Sequence, residues 1–205
     1  MSQFSNNFRK VPIVTTVLII INVAVYVVLP LLPGGNALYR QGVLTPYDVM
    51  VGNWWTLITS MFLHSSLNHI ICNMFSLYYL GVMCERVFGP VKYLILYMVS
   101  GLAGGLLFVA VNIASGSYLS GAVGASGAIF GLFGAMGWLL FKNRKRIDKG
   151  SIQSYFVMLA INLFIGFMPG SNIANAAHIG GMICGFLLGA VFLSLGGKKR
   201  INNRQ

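Results

Sequence analysis

The polar residues best suited to nucleophilic and acid–base chemistry within the apolar stretches of this 205-residue sequence cluster in three short runs. The first is His64-Ser65-Ser66-Leu67-Asn68-His69, followed by Asn73. The second is Gly124-Ala125-Ser126-Gly127, and the third holds Asn175 and His178. Every histidine of the chain lies in these runs. A serine hydroxyl is a weak nucleophile until a base takes its proton, and neutral histidine is the usual base near pH 7. The tetrahedral intermediate that follows needs hydrogen-bond donors for its oxyanion; His69, Asn73 and the backbone N–H of Ser126 are of that kind. The only acids are Asp48, Glu85 and Asp148, and none is placed to complete a triad. The pattern suggests a dyad of Ser126 and His178.

The elements that must position these groups follow from composition. Hydrophobic residues make up 57% of the chain and charged residues 8%, with a mean hydropathy of +0.78. Soluble domains carry about 25% charged residues, so a water-facing surface cannot be built here and an all-α, polytopic membrane protein is expected. The net charge of +11 does not indicate nucleic acid, because the cations sit in the gaps between apolar runs, where they orient a membrane protein and face anionic headgroups. Cys72, Cys84 and Cys184 fall inside apolar segments and read as packing residues.

A helix needs about 20 mostly apolar residues to cross the hydrocarbon core. Six stretches qualify: 12–32, 65–83, 90–112, 126–141, 152–169 and 175–195. The first is too long for a signal-peptide core and is expected to remain as an anchor. With the N-terminus inside, the inner segments 1–11, 84–92, 142–151 and 196–205 hold thirteen of the fourteen Lys and Arg residues, leaving Arg40 outside. Both termini are therefore expected to be cytoplasmic. The expected organisation is an N-terminal segment 1–11, a six-helix membrane domain 12–195 and a basic tail 196–205. Spans two, four and six would then all start at the outer face, which brings the three polar runs to similar depth. In the outer segment 33–64, Trp54 and Trp55 suit an interfacial belt.

On helical spacing, His69 and Asn73 share a face, Ser126 shares one with Phe130, and His178 shares one with Gly181 and Gly185. Five residues separate His64 from His69, which on a helix points the two rings apart. Gly124, Gly127, Gly131 and Gly134, and Gly181, Gly185 and Gly189, form small-residue stripes of the kind that lets helix backbones approach in lipid. If the two stripes meet, His178 comes beside Ser126. Blander readings stay open: a membrane serine often bonds back to its own helix, and histidine or asparagine can be interhelical glue. A metal site is not expected, since no carboxylate or thiolate accompanies the histidines, and no cofactor is expected.

At these residues the chain resembles the rhomboid family of intramembrane serine proteases, over about residues 10 to 195. His64, His69 and Asn73 match the family's second-helix spacing. Gly124-Ala125-Ser126-Gly127 matches its GxSG motif, and Ala177-His178-Ile179-Gly180-Gly181 with Gly185 matches its sixth-helix histidine segment. Gly81, Glu85 and Gly89 match a softer GxxxExxxG pattern, read here as a helix-end cap and ion pair. The resemblance implies a six-transmembrane-helix bundle with Ser126 as nucleophile, His178 as base, and His69 and Asn73 lining the oxyanion hole. Phe130 would pack beside the His178 ring, and His64, Gly124, Gly127 and Gly181 would support the site. It implies single-span transmembrane protein substrates that unwind locally, no nucleic acid, and the lipid bilayer of a bacterial inner (plasma) membrane. Many members carry Trp-Arg in the outer loop, where this chain has Trp55-Thr56. A non-catalytic relative and a small-solute transporter are the competing readings. The serine–histidine pair speaks against the first; the lack of repeated halves and of outer-half acids speaks against the second.

Overall fold

The first long helix, α1 (Ile13–Val28), starts on a carboxylate from far along the chain. Glu85 accepts hydrogen bonds from the backbone N–H of Val14 (3.0 Å) and Thr15 (2.8 Å) and from the Thr15 hydroxyl (2.8 Å). These are donors that a helix start leaves orphaned, and a negative group suits that end of the helix dipole. The predicted capping role of Glu85 is therefore found, but on the start of another helix and not on the end of its own. The structure is a computed structural model and describes residues 12–167 and 174–202. The predicted segment 1–11, the end of the fifth span at 168–169 and the last tail residues 203–205 lie outside the described residues.

After α1 a 3-10 turn at Leu29–Leu31 leads into the predicted outer segment, which folds into short helices: α2 (Gly35–Gly42), α3 (Pro46–Met50) and α4 (Thr56–Thr59), then a 3-10 turn at Ser60–Phe62. Thr45 caps α3 by accepting from the Asp48 N–H while donating to the Asp48 carboxylate (2.6 Å), a reciprocal arrangement that fixes the helix start. Trp54 and Trp55 are more than half exposed, whereas Thr56 is fully buried and donates its hydroxyl to the Asn53 carbonyl.

Five long helices follow: α5 (Leu67–Phe88), α6 (Pro90–Ala114), α7 (Ser126–Asn143), α8 (Lys149–Phe167) and α9 (Asn175–Asn202). Between α5 and α6 a single residue, Gly89, turns the chain at φ +80°, and Pro90 then begins α6, where its missing N–H is harmless. Helix α5 runs past the predicted end at 83, because Glu85 is buried in its last turns and not exposed beyond them. Helices α8 and α9 likewise extend beyond the predicted 152 and 195.

Residues 127–136 of α7 are all buried. A helix hidden on every side belongs at the centre of a bundle. The glycine stripes explain how its neighbours come so close. A Cβ on Gly181 would strike the Gly127 carbonyl, one on Gly185 the Gly131 backbone, and one on Gly189 would meet Ala135. The pairs run in the same order along both helices, so α7 and α9 pack side by side in parallel, backbone on backbone. Helix α6 closes the other side, with Gly104 under the Ala177 carbonyl and Gly180 against Ala103 and Gly104. Helix α8 is attached mainly through side chains: Tyr155 donates to the Phe133 carbonyl (3.0 Å) and Ser76 to Asn162 (3.0 Å).

The outward faces are apolar. Ile13, Ile20, Ile71, Phe75, Val91, Phe164 and Leu187 are among the exposed large side chains. Among the described residues four helices are long and apolar enough to cross a membrane: Ile13–Leu31, Leu67–Phe88, Pro90–Ala114 and Asn175–Ser194.

Candidate active site

Each polar run reaches the site through a specific local structure. Ser66 is the N-cap of α5, its hydroxyl accepting from the His69 N–H (3.2 Å), so His69 sits in the first turn and Asn73 one turn deeper. Ser126 is the first residue of α7, and no side chain caps that helix start, so the leading N–H groups and the positive end of the dipole face the serine. His178 lies in the first turn of α9, its N–H bonded to the Ala174 carbonyl. The parallel packing of α7 and α9 then sets Nε2 of His178 2.9 Å from Oγ of Ser126. The His178 ring stacks on Phe130, centroids 4.2 Å apart and planes 10° from parallel.

Gly124 is where the other two side chains converge. Its φ of +122° is open only to glycine, and a Cβ there would lie 2.7 Å from His69 Nε2 and 3.4 Å from Asn73 Nδ2. The Gly124 N–H is held by the Ser60 carbonyl (2.8 Å), and Ala122 pairs with Leu44 in an isolated antiparallel bridge. These bonds fix the strand entering α7. Asn73 is buried, and Nδ2 has no hydrogen-bond partner among the described residues. The Ser65 N–H donates to Nδ1 of His69 at 3.5 Å, and its hydroxyl stands 3.1 Å from the same nitrogen. Accepting at Nδ1 leaves the ring proton on Nε2, the nitrogen that faces Gly124. Two donors thus point at the turn preceding Ser126.

His64 corrects the spacing argument. It precedes α5, in the irregular residues before the cap, so helical geometry does not apply to it. Its ring lies edge-on to that of His69, centroids 5.0 Å apart, rather than pointing away. Burial, with the neighbouring His69, pushes its pKa down to about 4, so it is neutral at ordinary pH. Gly181 meets the Gly127 backbone as expected, but a Cβ on Gly127 itself would find its nearest atom at 3.6 Å, so that position is not sterically required. Ser65 and the Ser60 carbonyl had no role in the sequence reading. The signal for Ser65 is the cap at Ser66, which leaves the preceding residue outside the helix and able to turn back on His69.

None of the three carboxylates joins the site. Glu85 holds the start of α1, Asp48 holds Thr45 and Asn53, and Asp148 accepts from the backbone and hydroxyl of Ser151. Ser126 and His69 are half-buried, while His64, Asn73 and His178 are buried.

Apolar helices with an aliphatic exterior, carrying a polar and partly accessible cluster where α5, α7 and α9 begin, define a multi-pass integral membrane protein. Residues 51–195 match the rhomboid domain, and the chain belongs to the rhomboid family. It is 41% identical over 145 residues to RHOMBOID-like protein 1 of Arabidopsis thaliana, covering 68% of this chain and 34% of that protein. With the rhomboid protease GluP of Bacillus subtilis (strain 168) it shares 37% over 139 residues, 68% of this chain and 26% of the relative. The putative rhomboid protease YdcA of the same bacterium is 32% identical over 208 residues, 97% of this chain and 96% of that one. The chain spans about a third to a half of the length of several of the plant relatives it matches.

Proposed function

We propose that this protein is an intramembrane serine endopeptidase that hydrolyses peptide bonds in or near transmembrane segments of other membrane proteins. The observation that carries the reading is the 2.9 Å approach of His178 Nε2 to Ser126 Oγ. With its proton on Nδ1, His178 takes the hydroxyl proton as Ser126 attacks the carbonyl carbon, then passes it to the leaving amine. The acyl ester on Ser126 is released by water, with His178 again as base. The oxyanion forms beside the turn at Gly124, where the Ser126 N–H, His69 Nε2 and Asn73 Nδ2 are its donors. Phe130 supports the imidazole by stacking, and His64 supports His69. Gly124 keeps the oxyanion position open, and Gly181 lets α9 close on the Gly127 backbone of α7. No metal or cofactor enters this scheme.

The relatives named as rhomboid proteases support the activity, and the location of the basic residues supports the topology. In this reading residues 12–195 form the six-span domain, the segments 1–11 and 196–205 are its cytoplasmic flanks, and the membrane is a bacterial inner (plasma) membrane. The site lies at the outer end of spans two, four and six. Substrates are single-span proteins whose helices unwind to reach a serine that heads a buried helix.

The test mixes purified protein and its Ser126→Ala variant with a model transmembrane substrate. Cleavage should fall by at least about 10³-fold in the variant, as when a nucleophile is removed elsewhere. Equal cleavage by both proteins would sink the assignment. Natural substrates are then sought by comparing ectodomains shed by cells carrying either form.

A further inference from the structure

The turn joining α7 to α8 has no part in the proposed chemistry, and it lies at the end of α7 opposite Ser126. It forms a concavity of about 400 Å³ lined by Phe141, Lys142, Asn143, Arg144, Lys145 and Arg146. The backbone there is a defined turn. The Arg146 N–H donates to the Asn143 carbonyl (2.8 Å), and the Asn143 side chain donates to Leu139 (3.1 Å). Four cations therefore share one small volume. The one acid nearby, Asp148, is engaged by Ser151, and the only others in the chain, Asp48 and Glu85, are engaged by Thr45 and Asn53 and by Val14 and Thr15. Asp148 keeps its charge, but one carboxylate against these four cations, with Lys149 beside it, leaves the turn strongly positive.

A second feature says what kind of anion fits. Phe141, at the rim, is 66% exposed, and its ring lies 5.9 Å from that of Trp138, one turn further along α7 from the concavity. Trp138 in turn meets Phe186 of α9 edge-on at 5.1 Å, and Phe186 is 37% exposed. An outward-facing aromatic strip thus leads from the cationic concavity along the apolar flank of α7 and α9. A free phosphate has no use for such a strip, whereas an anionic phospholipid has a group for each part.

We propose that the α7–α8 turn is a binding site for an anionic phospholipid. Its phosphodiester sits among Lys142, Arg144, Lys145 and Arg146, and an acyl chain lies along Phe141, Trp138 and Phe186. Guanidinium groups suit phosphate oxygens by bidentate geometry, and cations beside a span are drawn to anionic headgroups. The site is independent of the proteolytic reading and stands or falls without it.

Trp138 supplies the probe. In full-length protein carrying Trp54→Phe and Trp55→Phe, Trp138 is the one remaining tryptophan. Its fluorescence is measured in phosphatidylcholine bilayers containing a small, equal fraction of brominated phosphatidylglycerol or brominated phosphatidylcholine. Quenching by the anionic lipid should exceed that by the zwitterionic one at least threefold. The combined variant Lys142→Gln, Arg144→Gln, Lys145→Gln, Arg146→Gln should abolish the preference. A control removing equal charge from the tail, Lys198→Gln, Lys199→Gln, Arg200→Gln, Arg204→Gln, should keep it. Should the fourfold variant lose helix content, the pair Arg144→Gln, Arg146→Gln replaces it, with the preference at least halved. Equal quenching by both lipids, or equal loss in the tail control, overturns the site. Abolition of the preference by millimolar inorganic phosphate at constant ionic strength makes it a free-phosphate site and overturns the lipid assignment.

Discussion

At the residue scale, the candidate chemistry depends on where single protons sit. Ser65 donates to Nδ1 of His69, which leaves Nε2–H facing the Gly124 turn, and Asn73 brings an unpaired buried donor to the same place. Removing one oxyanion donor typically lowers kcat by about 10²–10³. Asn73→Ala should do so while a serine-directed probe still labels Ser126, because the pair with His178 is untouched; unaltered kcat would remove Asn73 from the mechanism. His64 offers a pH signature. Its folded pKa of about 4 lies below the ordinary 6.5, so the unfolded chain binds its proton first as pH falls. Stability should decline between about pH 6.5 and 4 for this reason, and His64→Gln should flatten that part of the melting-temperature profile. Ser126, His178, His69 and Asn73 stood out as candidates in the sequence because a membrane makes every polar residue conspicuous. The contact of His64 with His69 was not readable there, because helical spacing says nothing about a residue that lies before the cap.

At the scale of elements, two devices hold the site's helices. The α7–α9 contact rests on glycines whose missing Cβ atoms would strike backbone rather than movable side chains. Gly185→Ala should therefore lower stability by about 1–3 kcal/mol, the usual range for overpacking. Gly127→Ala, with its nearest neighbour at 3.6 Å, should change the melting temperature little. If both variants melt alike, close backbone packing is not what joins these helices. The spacing of the glycines announced this contact in advance. The Glu85 cap was only half legible: a cap was expected from the motif, but its recipient lies about 70 residues away, and no local pattern encodes such a distance. Glu85→Ala should cost on the order of 2 kcal/mol, since it strips a charged acceptor from three donors, and thermal unfolding in detergent would measure it.

For the whole molecule, the proposed arrangement fixes which surfaces water-soluble reagents reach from each side. In a background with the native cysteines replaced, Asn36→Cys should react with an impermeant thiol reagent added outside intact cells. Arg144→Cys should react only after the membrane is opened, and the reverse pattern would invert the topology. The basic residues are what suggest this orientation. They did not reveal the short helices of the outer segment, which are amphipathic pieces only a few residues long with no span-length signal. The distribution of acids carries a further consequence. All three carboxylates already hold threonines, a serine or main-chain amides, so a protonated imidazole beside Ser126 has no anion behind it. In soluble triads, losing that partner slows turnover about ten-thousandfold. On the proposed mechanism such an unbacked pair turns over slowly, and single-turnover rates on a model transmembrane substrate would measure by how much.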